Sequence, residues 1–171
     1  MNWQDFLNTQ TISDNISADT PRLYAVTHLS VLTISGSDAA TFLQGQITCN
    51  VHDVTEQNSR FGAICTPKGR VISTFILAKV HDDFLMILPT ELLPVVKERL
   101  QKYVLRAKVQ FHIEQCVLGV SADEAEFLNT KQENDVVRVH LGQRDLLICN
   151  TDNAQTVWSD YINQGFQATT S

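Results

Sequence analysis

Short apolar runs separated by polar segments predict a chain of β-strands with a few amphipathic helices. The pattern is sharpest at residues 61–80, where β-branched, aromatic and small residues flank the turn sequence TPKG at 66–69. The proline fixes the backbone angle needed at the second position of a type I turn, and the glycine suits the fourth position. This stretch therefore predicts a β-hairpin with two cations, Lys68 and Arg70, at its tip.

Apolar side chains also recur at helical spacing in three segments, at 37–45, 90–104 and 152–164. Asp152 is expected to cap the start of the last helix, because its carboxylate can accept hydrogen bonds from the first free amides. Gly45 is expected to end the first helix in a left-handed conformation, and Gly165 is expected to end the last helix.

The pattern then starts again after residue 115. VLTISGSDAATFL at 31–43 aligns with VLGVSADEAEFL at 117–128 with one gap, and FLMILPT at 84–90 aligns with DLLICNT at 145–151. We therefore predict an α+β fold with two strand–helix–strand–strand–helix–strand repeats, each a split βαβ or ferredoxin-like unit with a mostly antiparallel sheet.

This repeat divides the chain into a polar leader at 1–21, a first repeat at 22–114 and a second at 115–171. The final strand of the second repeat, FQATTS, is weak. We expect the second repeat to be incomplete and the chain to be a fragment of a longer protein.

Composition narrows the range of partners. The formal net charge is −6, so no basic stripe is available to displace counterions from double-stranded nucleic acid. The cysteines at 49, 65, 116 and 149 form no CxxC pair and have no histidine at zinc-like spacing, so we expect no metal site and reduced thiols in a cytoplasmic protein. No apolar run approaches the ~18 residues that would span a membrane.

One polar cluster and the hairpin cations are the candidates for chemistry. Gln44, Gln46 and Thr48 place two amides and a hydroxyl near a predicted helix end, where they can read the donor and acceptor edges of a heterocycle or simply form a polar loop. Lys68 and Arg70 can bind an anion or stay solvated. The carboxylates at 123, 124, 152 and 160 are expected on helix surfaces and the five histidines are scattered, so no catalytic residue is assigned.

Three segments, at 34–51, 61–77 and 100–112, together resemble the YgfZ-type folate-binding proteins. These are relatives of the glycine-cleavage T-protein, an aminomethyltransferase that uses tetrahydrofolate. The likeness is most specific in FLQGQ at 42–46 and in the Lys-Gly pair at 68–69. It implies a tetrahydrofolate cofactor and a role in maintaining iron–sulfur enzymes, including those that modify tRNA.

The resemblance also implies a set of site residues. Gln44 and Gln46 would make polar contacts with the folate, and Lys68 and Arg70 would offer charge to its glutamate tail. Leu29 falls near the position where some members carry an aromatic residue. A leucine can pack against a pterin ring but cannot stack on it as an aromatic ring does.

The chain departs from the family at positions that matter for catalysis. Ser73 and Thr74 stand where the T-protein branch carries an Asp-Asp pair, and hydroxyls cannot replace a carboxylate charge. The family's Lys-Gly-Cys motif and its C-terminal lobe are absent from these residues. A folate-binding accessory protein is therefore favoured over an aminomethyltransferase-like enzyme, with a scaffold that binds no small ligand as a third hypothesis.

Overall fold

The computed structural model describes residues 2–13, 19–122 and 125–170. Its helices are α1 (Trp3–Asn8), α2 (Ala39–Gln44), α3 (Leu93–Val104) and α4 (Thr151–Asn163). Its first six strands are β1 (Arg22–Ala25), β2 (Leu29–Ser35), β3 (Arg60–Cys65), β4 (Val71–Val80), β5 (Asp83–Pro89) and β6 (Gln110–His112). The others are β7 (Gln115–Ser121), β8 (Thr130–Glu133), β9 (Val136–His140), β10 (Arg144–Asn150) and β11 (Gln167–Thr169).

The strands form two sheets. The first has the order β3-β4-β5-β2-β6, and all its neighbours are antiparallel. The second has the order β11-β1-β7-β10-β9-β8, and only the β1–β11 pair among its described strands is parallel. This confirms the predicted α+β class with mostly antiparallel sheets.

The internal repeat is visible in the strand order. The series β8-β9-β10-β7 in the second sheet matches β3-β4-β5-β2 in the first. In each series, three of the four strands follow one another in the sequence, β3 to β5 and β8 to β10. A split βαβ unit has only two strands between its helices. β1, which the sequence division assigned to the first repeat, lies in the second sheet between β7 and β11.

The second repeat lacks the first of its two predicted helices over its described residues. Residues 125–129, which align with α2, form a turn and a single bridge instead. The carboxylates at 123 and 124 lie outside the described residues. The face that such a helix would cover is packed by α1 and α4, through Leu7 and Trp158.

The core has three layers, one on the helix side of each sheet and one between the sheets. Leu32, Phe75 and Leu100 belong to the layer that α2 and α3 cover. Leu85 and Val139 belong to the layer between the sheets. Because this middle layer takes side chains from both sheets, the two sheets share one hydrophobic core.

The helix ends differ in part from the predictions. α4 is capped by Asn150, whose side chain accepts a hydrogen bond from the Asp152 amide at 2.9 Å, so the prediction of Asp152 as the cap was wrong. Gly45 has a right-handed φ of −78°, so the prediction of a left-handed residue there was wrong, whereas Gly165 follows the end of α4 as predicted and has a φ of +97°. Asp152 and Asp160 are exposed on α4, as expected. No helix among the described residues is long and apolar enough to cross a membrane.

Candidate functional site at the hairpin end of the first sheet

The β3–β4 hairpin has the predicted turn. The Gly69 amide donates to the Thr66 carbonyl at 2.9 Å, and the Thr66 amide donates to the Arg70 carbonyl at 2.7 Å. Gly69 has a φ of +80°, and the strand register shifts next to the turn. A type I turn followed by a left-handed glycine forms a three-residue hairpin loop with a bulge. Lys68 and Arg70 are exposed on this loop, and neither makes an ion pair within the described part of the chain.

The loop after α2 is fixed to the same hairpin. The Gln44 side-chain amide donates to the Cys49 carbonyl at 3.2 Å, and its oxygen accepts from the Val51 amide at 2.8 Å. The Thr48 amide donates to the Ala63 carbonyl at 3.0 Å, and the Thr48 hydroxyl accepts from the Ala63 amide at 2.9 Å. Gln44 therefore holds the loop in shape, and a ligand would have to displace those bonds to reach its amide.

The structure brings the loop and the turn cations to one end of the first sheet. Ala63, where the loop is anchored, precedes Thr66 by three residues, which corresponds to about 10 Å along a strand. Gln46 is half-buried in this loop, and its side chain makes no hydrogen bond to another described residue. Of the two predicted glutamines, Gln46 is thus the one with an uncommitted amide.

Leu29 lies at the same end of the sheet but on its other face. It pairs with Pro89 and packs against the layer between the sheets, whereas α2 covers the opposite face. The registers place Leu29, Pro89, Thr74 and Ala63 on one row across four strands, so about 14 Å separates Leu29 from Ala63. A ligand that contacts both Leu29 and the Gln46 loop must therefore reach across four strands at this end of the sheet.

The Ser73-Thr74 pair is divided between the two faces. Ser73 is 2% exposed, and its hydroxyl donates to the Thr74 carbonyl at 2.8 Å. Thr74 is exposed and lies opposite Ala63, on the row that ends at Leu29. Of these two residues, only Thr74 is therefore accessible to a ligand, and its side chain offers a hydroxyl group.

Two exposed aromatic side chains beside the hairpin were not singled out from the sequence. Phe61 and Phe127 are 53% and 58% exposed, and their ring centroids lie 5.7 Å apart. A hydrogen bond of 2.6 Å between the Ser59 and Thr130 hydroxyls holds the two sheet edges together there. Phe61 comes from the first repeat and Phe127 from the second, so only knowledge of the sheet packing could have paired them.

A second polar region lies beside α4. An open cavity of about 1420 Å³ is lined by side chains that include Arg138, His140, Asp145 and Tyr161. Arg138 donates to Asp145 at 2.8 Å and to the Tyr161 hydroxyl at 2.6 Å, and His140 Nδ1 lies 2.7 Å from the other Asp145 oxygen. Burial lowers the pKa of the Arg138 guanidinium, but its hydrogen bond to Asp145 and nearby negative charge outweigh burial and raise it. His140 is therefore a buried histidine whose Nδ1 has a hydrogen-bond partner in Asp145.

No three histidine, cysteine, aspartate or glutamate side chains among the described residues are grouped to hold a metal ion.

The fold matches about half of a glycine-cleavage T-protein. The chain superimposes on the aminomethyltransferase T of the glycine cleavage system from Bartonella henselae with a TM-score of 0.75, over 88% of this chain and 48% of that one. The two sequences are 12% identical, so this comparison establishes the fold alone.

Sequence comparison gives a more specific resemblance, to the tRNA-modifying protein YgfZ. The chain is 31% identical over 102 residues to the protein from Vibrio vulnificus, and 34% identical over 98 residues to that from Colwellia psychrerythraea. It is 31% identical over 130 residues to the protein from Vibrio atlanticus. These alignments confirm the resemblance that the FLQGQ and Lys-Gly segments indicated. No protein-family model matches the chain.

The alignments cover only part of the relatives. They include 57%, 56% and 72% of this chain, but 32%, 30% and 40% of the three relatives, in the same order. The chain therefore spans less than half the length of the curated relatives that it matches.

Proposed function

We propose that this chain forms part of a tetrahydrofolate-binding accessory protein that acts in tRNA modification and supports iron–sulfur enzymes. The observation that carries the proposal is that Lys68 and Arg70, with no ion-pair partner among the described residues, lie at the same end of the first sheet as the Gln46 loop. Similarity to proteins named as tRNA-modifying supports the biological role.

Charge complementarity supports binding of the folate tail at the turn. Lys68 and Arg70 are exposed and have no ion-pair partner among the described residues, so both are free to meet the carboxylates of a glutamate tail. The rigid turn with Gly69 at positive φ fixes the backbone on which the two cations stand. Preorganised cations lose less conformational freedom on binding than cations on a mobile loop.

The exposed face of the β3–β4 hairpin suits an aromatic heterocycle. Phe61 and Phe127 offer an exposed ring surface, and Leu29 and Thr74 provide an apolar and a hydroxyl contact on the same side of the first sheet. The Gln46 amide can donate and accept hydrogen bonds from the other side of the hairpin end. These groups match the mixed apolar and polar lining typical of small-molecule sites.

The same residues favour binding over aminomethyl transfer. Neither Ser73 nor Thr74 supplies a carboxylate, and Ser73 is buried away from the surface. A turnover assay with an aminomethyl donor and tetrahydrofolate addresses the alternative: we expect no methylenetetrahydrofolate, and its formation would establish the transferase.

Calorimetry of the full-length protein with tetrahydrofolate tests the proposal, and we expect saturable binding. Lys68→Glu should weaken the affinity about three- to tenfold, because it removes one favourable charge and adds a repulsive one. Lys108→Glu is the matched control, since this exposed lysine precedes β6 at the far edge of the sheet. Absence of heat at high micromolar tetrahydrofolate would exclude folate binding, and equal affinities for the two variants would remove Lys68 from the site.

The cellular role needs a separate measurement. Cells that lack the gene should show reduced thiolated nucleosides in tRNA hydrolysates, and wild-type protein should restore them better than Lys68→Glu does. Full restoration by Lys68→Glu, with folate binding impaired, would separate tRNA modification from folate. An unchanged nucleoside profile in the deletion strain would contradict the role in tRNA modification.

A further inference from the structure

Two cysteines face each other across the central strands of the second sheet. Cys116 in β7 and Cys149 in β10 are direct register partners, and their sulfur atoms lie 3.9 Å apart. Directly opposed residues of antiparallel strands have Cα atoms about 4.5–5.5 Å apart, within the range of about 4.4–6.8 Å that a disulfide requires. The backbone is therefore already placed for a disulfide, and the sulfurs need only small side-chain rotations.

The two thiols differ in their surroundings. Cys149 is 1% exposed and packs with Trp158 under α4, whereas Cys116 is half-buried. The hydrogen bond between the thiols lowers the pKa of Cys149, although burial raises it. The same bond, together with burial, raises the pKa of Cys116. The lower pKa of the two therefore belongs to Cys149, whose sulfur accepts the hydrogen bond when Cys116 donates its S–H.

The other two cysteines lack this arrangement. Among the described residues, Cys116 and Cys149 are the cysteines whose sulfurs are within hydrogen-bonding distance of each other. Burial raises the pKa of Cys49, which makes its reactive thiolate rarer. Cys65 lies at the end of β3, in the other sheet.

We propose that the Cys116–Cys149 pair is a redox modification site, which a peroxide converts into a disulfide between β7 and β10. One thiolate of the pair attacks a peroxide oxygen, forming a sulfenic acid and releasing hydroxide when the oxidant is hydrogen peroxide. The partner sulfur then attacks the sulfenic sulfur, the S–S bond forms, and the second oxygen leaves as water. Overall, two thiols and one hydrogen peroxide yield one disulfide and two waters.

Peptide mapping of the peroxide-treated protein tests this site. Trypsin can cut after Lys131, Arg138 and Arg144, so the two cysteines fall in separate peptides unless a disulfide joins them. After treatment with low-millimolar hydrogen peroxide and alkylation, we expect the two cysteine peptides to be linked. The mass of the linked pair should be two hydrogens below the sum of the two reduced peptides, and dithiothreitol should separate them. Cys49 and Cys65 should remain alkylated in the same digest.

The variants define the pairing. Cys116→Ser or Cys149→Ser should abolish the linked peptides, while a Cys49→Ser, Cys65→Ser double variant should retain them. Full alkylation of Cys116 and Cys149 after peroxide, or their conversion to sulfinic acids without a link, would overturn the proposal. Equal linkage in peroxide-treated protein unfolded in urea would also overturn it, since the fold would then contribute nothing. Because the wild-type digest alone decides this, the test does not depend on the folding of the serine variants.

Discussion

Gly36, at the end of β2, occupies a position that only glycine fits. Its φ is +114°, and a Cβ placed there would overlap the Lys108 carbonyl oxygen. Backbone strain and steric overlap both oppose any larger residue at such a position. We expect Gly36→Ala to lower the free energy of unfolding by about 3 kcal/mol, as measured by urea denaturation.

Gly45→Ala is the matched control for this prediction. Gly45 has a φ of −78°, and its nearest heavy atom to an added Cβ lies 3.5 Å away. The change should alter the free energy of unfolding by no more than about 0.5 kcal/mol. Similar denaturation midpoints for the two variants would show that the approach of Lys108 to Gly36 is not rigid.

The glycines also show how far single residues can be predicted from the sequence. Gly69 was assigned correctly because the turn sequence TPKG carries its own local chemistry. The need for glycine at position 36 arises from the close approach of the Lys108 backbone, and Lys108 is distant in the chain. Gln44 is similar: its amide was visible, but its bonds to Cys49 and Val51 depend on the folded shape of the loop.

At the scale of elements, α3 provides a test of which helix face is core. Leu100 is fully buried on the helix side of the first sheet, while Val95 in the same helix is 52% exposed. Leu100→Ala should cost about 2–5 kcal/mol, because it removes buried methyl groups and leaves a cavity. Val95→Ala should cost less than about 1 kcal/mol in the same urea denaturation series. A larger loss for Val95→Ala would place the core on the other face of α3.

Helices and strands whose apolar residues form a clear local pattern were predictable from the sequence. Elements whose structure depends on their neighbours in the fold were not. The β3–β4 hairpin followed from its β-branched, aromatic and small residues and from its turn. The segment at 117–128 resembles 31–43 in sequence, yet its described later part is not helical. Leu128 there has a φ of +67°, a left-handed conformation that no helix contains. The helix side of the second sheet is covered by α1 and α4 instead, and no periodicity within that segment could reveal this.

Prediction of the candidate site was limited in the same way: local features could be predicted from the sequence, and long-range contacts could not. The cations at the turn tip and the loop after α2 were both predicted from local chemistry, and they do lie near one end of the first sheet. The sequence could not show that Leu29 faces the other side of that sheet, or that Phe61 meets Phe127. Those relations depend on how two sheets from different repeats pack together.

For the whole molecule, the N-terminal segment completes the second sheet. β1 lies between β7 and β11, and the Gln167 amide donates to the Pro21 carbonyl at 2.9 Å. α1 packs against α4, where Trp3 meets Trp158 edge to face at 5.8 Å between ring centroids. The two ends of the described chain are thus held in one layer, so the second sheet cannot form fully before the N-terminal residues join it.

The layer between the sheets predicts that both sheets unfold together. Leu85 in β5 is fully buried in this layer, which also contains Val139 and Ile148 of the second sheet. Leu85→Ala should lower the free energy of unfolding by about 2–5 kcal/mol, with one transition for the whole molecule. Hydrogen exchange should show the same loss of protection for the slowest amides of β5 and β10. Val71→Ala, a change at an exposed position in the same sheet, should leave the free energy of unfolding and the hydrogen-exchange protection unchanged. If β10 kept its protection while β5 lost it, the sheets would be separate folding units despite their shared core.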